Sequence, residues 1–403
     1  MQGLVMAEQS CLISQKLIAA NAATLNGGVR LRTNLNDSAA CTIAAAAADR
    51  VIVNLQFLRG IAALFVVADH LLERLVKRGA YPAEYRDLAW SLGTVGVEVF
   101  FAISGFIMVY TMADAFGRRG ASIGFLIRRY LRIAPLYYLT TVAAILMTAI
   151  VKHVSPQGLD LAKSLAFIPY RNAEGLLQPV YALGWTLNYE MFFYVVFAIA
   201  MLLPLRLGLA AVLIILSSLV VAPLAGWNIS SAPSQVQDIL EFLTRPIILY
   251  FTLGILVAIA YRRVGRRGVA LPDAVICLGV FLLLLASALW RWPHGLSIGA
   301  AIVLTTLVGA LKPSPMFNAL ARTIGDASYS VYLTHSFLLG GLASAFARLP
   351  MRGSAWLIAY CALACVVCLT VGWLTWRHVE TPLSRILRKK ARPGVILAQG
   401  RPA

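Results

Sequence analysis

Arg59 and His70 are the residues from which chemistry is most readily built. They stand eleven positions apart in Asn54-Leu-Gln-Phe-Leu-Arg-Gly-Ile-Ala-Ala-Leu-Phe-Val-Val-Ala-Asp-His70, an apolar run long enough to cross a bilayer as a helix. Eleven steps of 100° end about 20° past three full turns, so both side chains project from one helix face, about 16 Å apart along the axis. A charged group near the bilayer centre costs roughly 2.5–3.5 kcal/mol on insertion scales, and such groups face protein or a wet cavity. One face therefore presents a fixed cation at one depth and a titratable imidazole at another.

Other polar residues interrupt the later apolar runs. Glu98 and Ser104 lie in Gly-Val-Glu98-Val-Phe-Phe-Ala-Ile-Ser104-Gly-Phe, and Glu190 in Gly184-Trp-Thr-Leu-Asn-Tyr189-Glu190-Met-Phe-Phe-Tyr194. Arg245 falls in another run, and His335 ends Tyr329-Ser-Val-Tyr-Leu-Thr-His335. Sorted by the side from which each span enters, His70, Glu98, Glu190 and Arg245 share the outer third. His335 lies near mid-membrane, and Arg59 and Arg132 near the inner face. A carboxylate at the depth of His70 is what a general base needs to fix its tautomer. Plainer readings stand beside this one: Arg245 with Glu190 or Glu98 as a helix clamp, the two histidines as hydrogen-bonded core residues, and Ser104 as a close-packing residue rather than a nucleophile. The inner stretch Ser122-Ile-Gly-Phe-Leu-Ile-Arg128-Arg129-Tyr-Leu-Arg132-Ile-Ala-Pro135 is amphipathic and ends at proline. It reads either as an interfacial helix holding lipid phosphates or as a clamp for a phosphorylated cofactor, since guanidinium forks suit phosphate oxygens.

The elements that must position these groups follow from composition. The chain of 403 residues is 60% hydrophobic and only 13% charged, far from the average of a soluble domain, about 45–50% apolar and 25% charged. The expected fold class is an all-α polytopic membrane protein, a bundle of about ten transmembrane helices with both termini inside. The spans are expected near 54–74, 94–113, 133–151, 184–204, 206–226, 239–261, 272–290, 296–311, 326–346 and 355–376. The net charge of +18 is no sign of nucleic-acid binding, because the basic residues sit in loops as topology signals and attract anionic lipid headgroups. Arg118-Arg119, Arg262-Arg263 with Arg266-Arg267, and the tail from Arg385 to Arg392 mark the inner side; Arg74, Lys77, Arg78 and Arg86 in the first outer loop run against the rule.

Residues 1–50 differ from the rest and are expected to be a disordered extension or an upstream start. Residues 51–383 form the membrane domain, and 384–403 a basic cytoplasmic tail. Cys361, Cys365 and Cys368 share one helix face and read as small packing residues; no metal-ligand cluster is seen in the sequence.

At these residues the chain resembles the acyltransferase-3 family of integral membrane O-acyltransferases. The resemblance covers residues 52 to 383. It is carried by Arg59 and His70 with their spacing, Phe100-Phe-Ala-Ile-Ser-Gly-Phe106, Arg128-Arg129-x-x-Arg132-Ile-x-Pro135, the Trp185–Tyr194 block, Tyr329–His335, and His378-Val-Glu-Thr-Pro382, in family order. The Gly184–Tyr194 wording is most similar to exopolysaccharide-production acetyltransferases of rhizobial type.

The resemblance implies transfer of an acetyl group from cytoplasmic acetyl-CoA, a co-substrate, to a hydroxyl of a glycan or lipid-linked glycan at the outer face of a bacterial inner membrane, with no metal. Membrane lipids and polysaccharide assembly machinery are the partners it implies. His70 would be the base or acyl carrier, and Glu190 or Glu98 would orient it. Arg59 would steady CoA or the thioester oxygen, and Arg128, Arg129 and Arg132 would hold phosphates. Arg245, Tyr189, His335 and Ser104 would line the acceptor side. The rival class is a transporter of a glycan or acylated lipid that uses the buried charges as a substrate path.

Overall fold

The computed structural model describes residues 30–153, 158–227, 233–265, 267–269, 271–290, 294–310 and 314–395. Nearly all of them are helical. A backbone cut off from water must satisfy its own N–H and C=O groups within each segment, and long apolar runs do so as helices. The chain runs α1 (Arg30–Lys77), α2 (Tyr85–Met112), α3 (Ala121–Lys152), α4 (Gly158–Leu165), α5 (Trp185–Ala200), α6 (Leu205–Leu224), α7 (Ser234–Leu243), α8 (Leu249–Val264), β1 (Arg267–Val269), α9 (Asp273–Trp290), α10 (His294–Leu307), β2 (Val308–Ala310), α11 (Pro315–Arg348), α12 (Ser354–Thr375) and α13 (Thr381–Val395). A π-helical segment, Trp376–Glu380, joins α12 to α13. The two short strands pair in parallel and tie the connections after α8 and α10 at one end of the bundle.

Among the described residues, eight helical segments are long and apolar enough to cross a membrane. The expected spans at 272–290 and 296–311 are present as the shorter apolar helices α9 and α10. α1 begins at Arg30, upstream of the apolar run; residues 1–29 of the expected extension lie outside the described residues.

Three boundaries differ from the sequence reading, each for a local reason. The expected span 239–261 is broken: α7 ends at Leu243, Arg245 is extended, and Pro246 opens a new 3-10 turn before α8. Proline has no N–H to continue a helix but fits a first turn well. The basic stretch 122–135 is not a separate helix ending at Pro135. It forms the first turns of α3, with Pro135 inside the helix. Third, α5 is only 16 residues long, about 24 Å, because it ends at Ala200 in a turn before Pro204; at its other end the preceding loop folds into the bundle. Tyr181 of that loop donates to the Leu333 carbonyl and stacks on Phe337, and Gly184 abuts the Tyr137 ring.

The core is organised by α1, α2, α8 and α11. α1 and α11 run in parallel, with Gly325 against the Gln56 backbone. α2 crosses α8 where Gly105 meets the Phe251 carbonyl and Gly254 meets the Ala102 carbonyl. Lipid supplies no hydrophobic force between helices, so such close backbone approach is what lets dispersion hold them. A Cβ at Gly254 would collide with backbone, which cannot rotate away as a side chain can. Gly254→Val is therefore expected to cost at least the ~1–3 kcal/mol typical of overpacking. The readout is a lower melting temperature, or loss of the monodisperse peak, of detergent-solubilised protein; an unchanged melting profile would refute this crossing.

Candidate functional site

A cavity of about 100 Å³ lies inside the bundle, where α1, α2, α3, α5 and α11 converge. Its polar lining is Arg59, Ser104, Arg129, Arg132, Thr186 and Glu190, with Tyr194, Tyr329 and Tyr332. Each is positioned by something specific. Arg59 donates to Gln56 at 2.9 Å, and Gln56 donates to Asp326 of α11 at 2.6 Å. Arg129 is held between the Phe125 and Tyr194 rings, 5.4 and 5.5 Å from their centroids, a cation–π arrangement worth ~0.5–2 kcal/mol when partly desolvated. Tyr194 donates to Glu190, and Ser104 donates to the same carboxylate at 3.4 Å. Tyr329 donates to the Ile133 carbonyl at 2.7 Å. Three guanidiniums face one carboxylate, so the cavity favours an anionic guest.

His70 and His335 lie one ring away. His335 is fully buried, and its ring centroid is 6.0 Å from that of Tyr332, which lines the cavity. The His335 Nε2 atom is 3.2 Å from His70 Nδ1, and the His70 side chain retains 27% exposure. The neighbours fix the tautomers. His335 Nδ1 faces the Val331 carbonyl at 3.2 Å, and a carbonyl only accepts, so Nδ1 carries the proton. His335 Nε2 then holds a lone pair toward His70 Nδ1, which must be protonated. That proton also satisfies the Val66 carbonyl at 3.0 Å. The lone pair of His70 is left on Nε2, the atom a general base would use.

This geometry redistributes the roles expected from sequence. His70 is oriented by His335 and the Val66 carbonyl, with Asp69 at 3.9 Å, and not by Glu98 or Glu190. Glu190 sits with the arginines, on the face of α5 that lines the cavity, where Tyr194 and Ser104 donate to it. Glu98 is buried and paired with His294 of α10 at 3.0 Å. Arg245 joins neither carboxylate; it is exposed in the break before α8 and reaches Glu241 at 3.4 Å. Tyr189, one step round the helix from Glu190, faces away from the cavity, donating to the Phe242 carbonyl and stacking on that ring at 3.9 Å. His335 meets His70. Ser104 does line the cavity. Of the three arginines on α3, Arg129 and Arg132 line it, whereas Arg128 is exposed and touches Met112.

Sequence reasoning passed over Asp326, Gln56 and His294, and quoted Glu380 only as part of a motif. Glu380, in the π-helical segment, accepts from Ser330 at 2.6 Å. The available signals were polar residues flanking apolar runs, Gln56 and Asp326 among them, and a histidine opening a short one.

Residues 52–376 match the family described as an acyltransferase domain, acyltransferase-3. The chain is 29% identical over 320 residues to the exopolysaccharide production protein ExoZ of Rhizobium meliloti (strain 1021), covering 77% of this chain and 95% of that one. It is 25% identical over 368 residues to the acyltransferase MdmB of Streptomyces mycarofaciens, covering 83% and 92%. No solved structure matches.

Proposed function

The chain belongs to the acyltransferase-3 family, and from that premise we propose that it moves an acetyl group from cytoplasmic acetyl-CoA to a hydroxyl of an exported glycan, free or lipid-linked. The proposed setting is a bacterial inner membrane, with ten helices spanning it and both termini inside. The observation that carries the reading is the adjacency of an arginine-lined cavity and an oriented imidazole, separated by the Tyr332 ring.

The residues present suit the donor. The cavity sets an apolar wall, with Phe100, Phe101 and Ile107 in it, beside three guanidiniums, a lining that suits the thioester end of the donor. Arg129 and Arg132 would take phosphate oxygens toward the end where α13 packs on α3. Arg59, held by Gln56 and Asp326, would face the thioester oxygen as charge develops there. His70 Nε2 would accept the hydroxyl proton as the acceptor oxygen attacks the thioester carbon and the thiolate leaves. The roughly 16 Å between Arg59 and His70 along α1 is then bridged by the reach of the arm past Tyr332.

The likeness to ExoZ supports an exopolysaccharide acceptor. The test is purified protein given radiolabelled acetyl-CoA and a panel of glycan acceptors. Label appearing in a glycan supports the reading. Glycan movement across vesicles without any need for acetyl-CoA would replace it with the transporter class.

A further inference from the structure

The basic end of the cavity contains a guanidinium that the reading above does not use. α13 leaves the π-helical segment and packs on α3. It carries Arg388, whose Nε is buried without a hydrogen-bond partner. Neither Arg388 nor Arg132 forms a hydrogen bond or ion pair with any described residue. Arg388 nevertheless lies within electrostatic reach of Arg128, Arg129 and Arg132. The carboxylate within reach, Glu380, is already engaged by Ser330. Cationic side chains from two helices have thus been gathered with too little negative charge among them. Like charges at this spacing repel, and a buried N–H left unpaired costs ~1–3 kcal/mol. An arrangement of this kind is stabilised when a multiply charged anion with several acceptor oxygens takes up the donors.

The local structure favours a specific assembly over chance crowding. π-Helical turns are rare and recur at functional sites. Here one sits between α12 and α13, and it sets the direction in which α13 leaves toward α3. The cavity itself is lined by Arg129 and Arg132 but not by Arg388. Arg388 therefore serves a part of the ligand that lies outside the cavity, beyond the portion the thioester arm fills.

We propose that Arg388 of α13, together with Arg132 of α3, binds a terminal phosphomonoester, the 3′-phosphate on the adenosine end of the donor. This rests on the acetyl-CoA reading and deepens it. It makes the C-terminal helix part of the donor site rather than a surface tail. The same chemistry would suit the phosphate of an anionic lipid, and the experiment separates the two sources.

Wild type, Arg388→Ala and Arg388→Lys are compared for KM with acetyl-CoA and with acetyl-dephospho-CoA, which lacks the 3′-phosphate. The measurement is made in nanodiscs of neutral lipid and again with anionic lipid. In parallel, binding of adenosine 3′,5′-bisphosphate and of adenosine 5′-monophosphate is measured on the same purified proteins, a readout that needs no turnover. Arg388→Ala is expected to raise KM for acetyl-CoA and weaken the bisphosphate by about tenfold or more, the loss of one charge-assisted phosphate contact. kcat, KM for acetyl-dephospho-CoA and monophosphate binding stay unchanged, and Arg388→Lys recovers part of the loss. Equal losses with both donors and both nucleotides, or no loss with any, overturn the assignment. So does a wild-type KM that depends on anionic lipid in a way that Arg388→Ala abolishes, which would make the ligand a lipid headgroup. A wild type that binds the bisphosphate through Arg388 but transfers no acetyl group would retain this site and reject the donor reading instead.

Discussion

His70→Ala is expected to lower acetyl transfer by about 10²–10⁴-fold, the range contributed by one positioned base, while the protein still reaches the membrane. The expectation rests on where the lone pair lies. His70 Nδ1 is committed to the Val66 carbonyl and to His335, so the lone pair falls to Nε2 of a side chain that stays partly exposed. His335 then acts as a positioning residue, and this separates the arrangement from a buried histidine pair that only packs. His335→Ala leaves the base present but frees its tautomer, so kcat should fall by roughly 10–100-fold, the effect of losing one or two hydrogen bonds that orient a catalytic group. KM for acetyl-CoA should hardly change. His335→Gln offers an amide oxygen to the His70 Nδ1–H and should restore much of kcat, which a purely space-filling role would not predict. Since the base must be neutral to act, the wild-type rate should fall on acidification, and the acidic limb should vanish from the residual rate of His70→Ala. Normal glycan acetylation by His70→Ala protein at wild-type membrane levels would remove His70 from the chemistry. His335→Gln as inactive as His335→Ala would remove the hydrogen-bond argument.

The contact between these two imidazoles marks where the sequence stopped being legible. The shared face of Arg59 and His70 follows from one helix and its period, and the structure places both toward α11, as a within-helix argument can foresee. The partner of His70 depends instead on the register of α1 against α11, set by Gly325 lying on Gln56. No period within either segment encodes that register. The company of Glu190 is likewise a matter of packing: Tyr181 anchors the preceding loop to α11, and the carboxylate meets Tyr194, whose ring flanks Arg129. Arg245 was read as intramembrane because the hydropathy of 239–261 is continuous, yet Pro246 restarts the helix and leaves the arginine on the surface with Glu241. The apolar runs themselves were readable because a bilayer leaves the backbone few options. The assembly of side chains from five helices was not, because it is a property of packing.

The same distinction separates the three arginines of α3, which the sequence presented as equivalent. Arg129→Ala and Arg132→Ala should each raise KM for acetyl-CoA by about 10–100-fold, since a hydrogen bond to a charged group contributes ~1.5–3 kcal/mol and both side chains line the cavity. Arg128→Ala should raise it by less than about threefold, because an exposed cation is screened by solvent and salt and this one lies against the Met112 sulfur, outside the cavity lining. kcat should move less than KM in all three, since a group proposed to hold the donor phosphates would hold them alike in the ground and transition states. Arg129→Ala carries a second consequence. It removes the cation held between Phe125 and Tyr194 and takes a nearby positive charge from Glu190, so its melting temperature should fall as well. Arg129→Lys should restore stability better than affinity, because an ammonium keeps the charge but not the planar fork. Steady-state kinetics on purified protein, with melting curves on the same samples, checks the set. Equal effects from all three arginines would show that the stretch acts through its overall positive charge, as an interfacial helix would. A fall in kcat with KM unchanged for Arg132→Ala would move that residue from donor binding to the reacting centre.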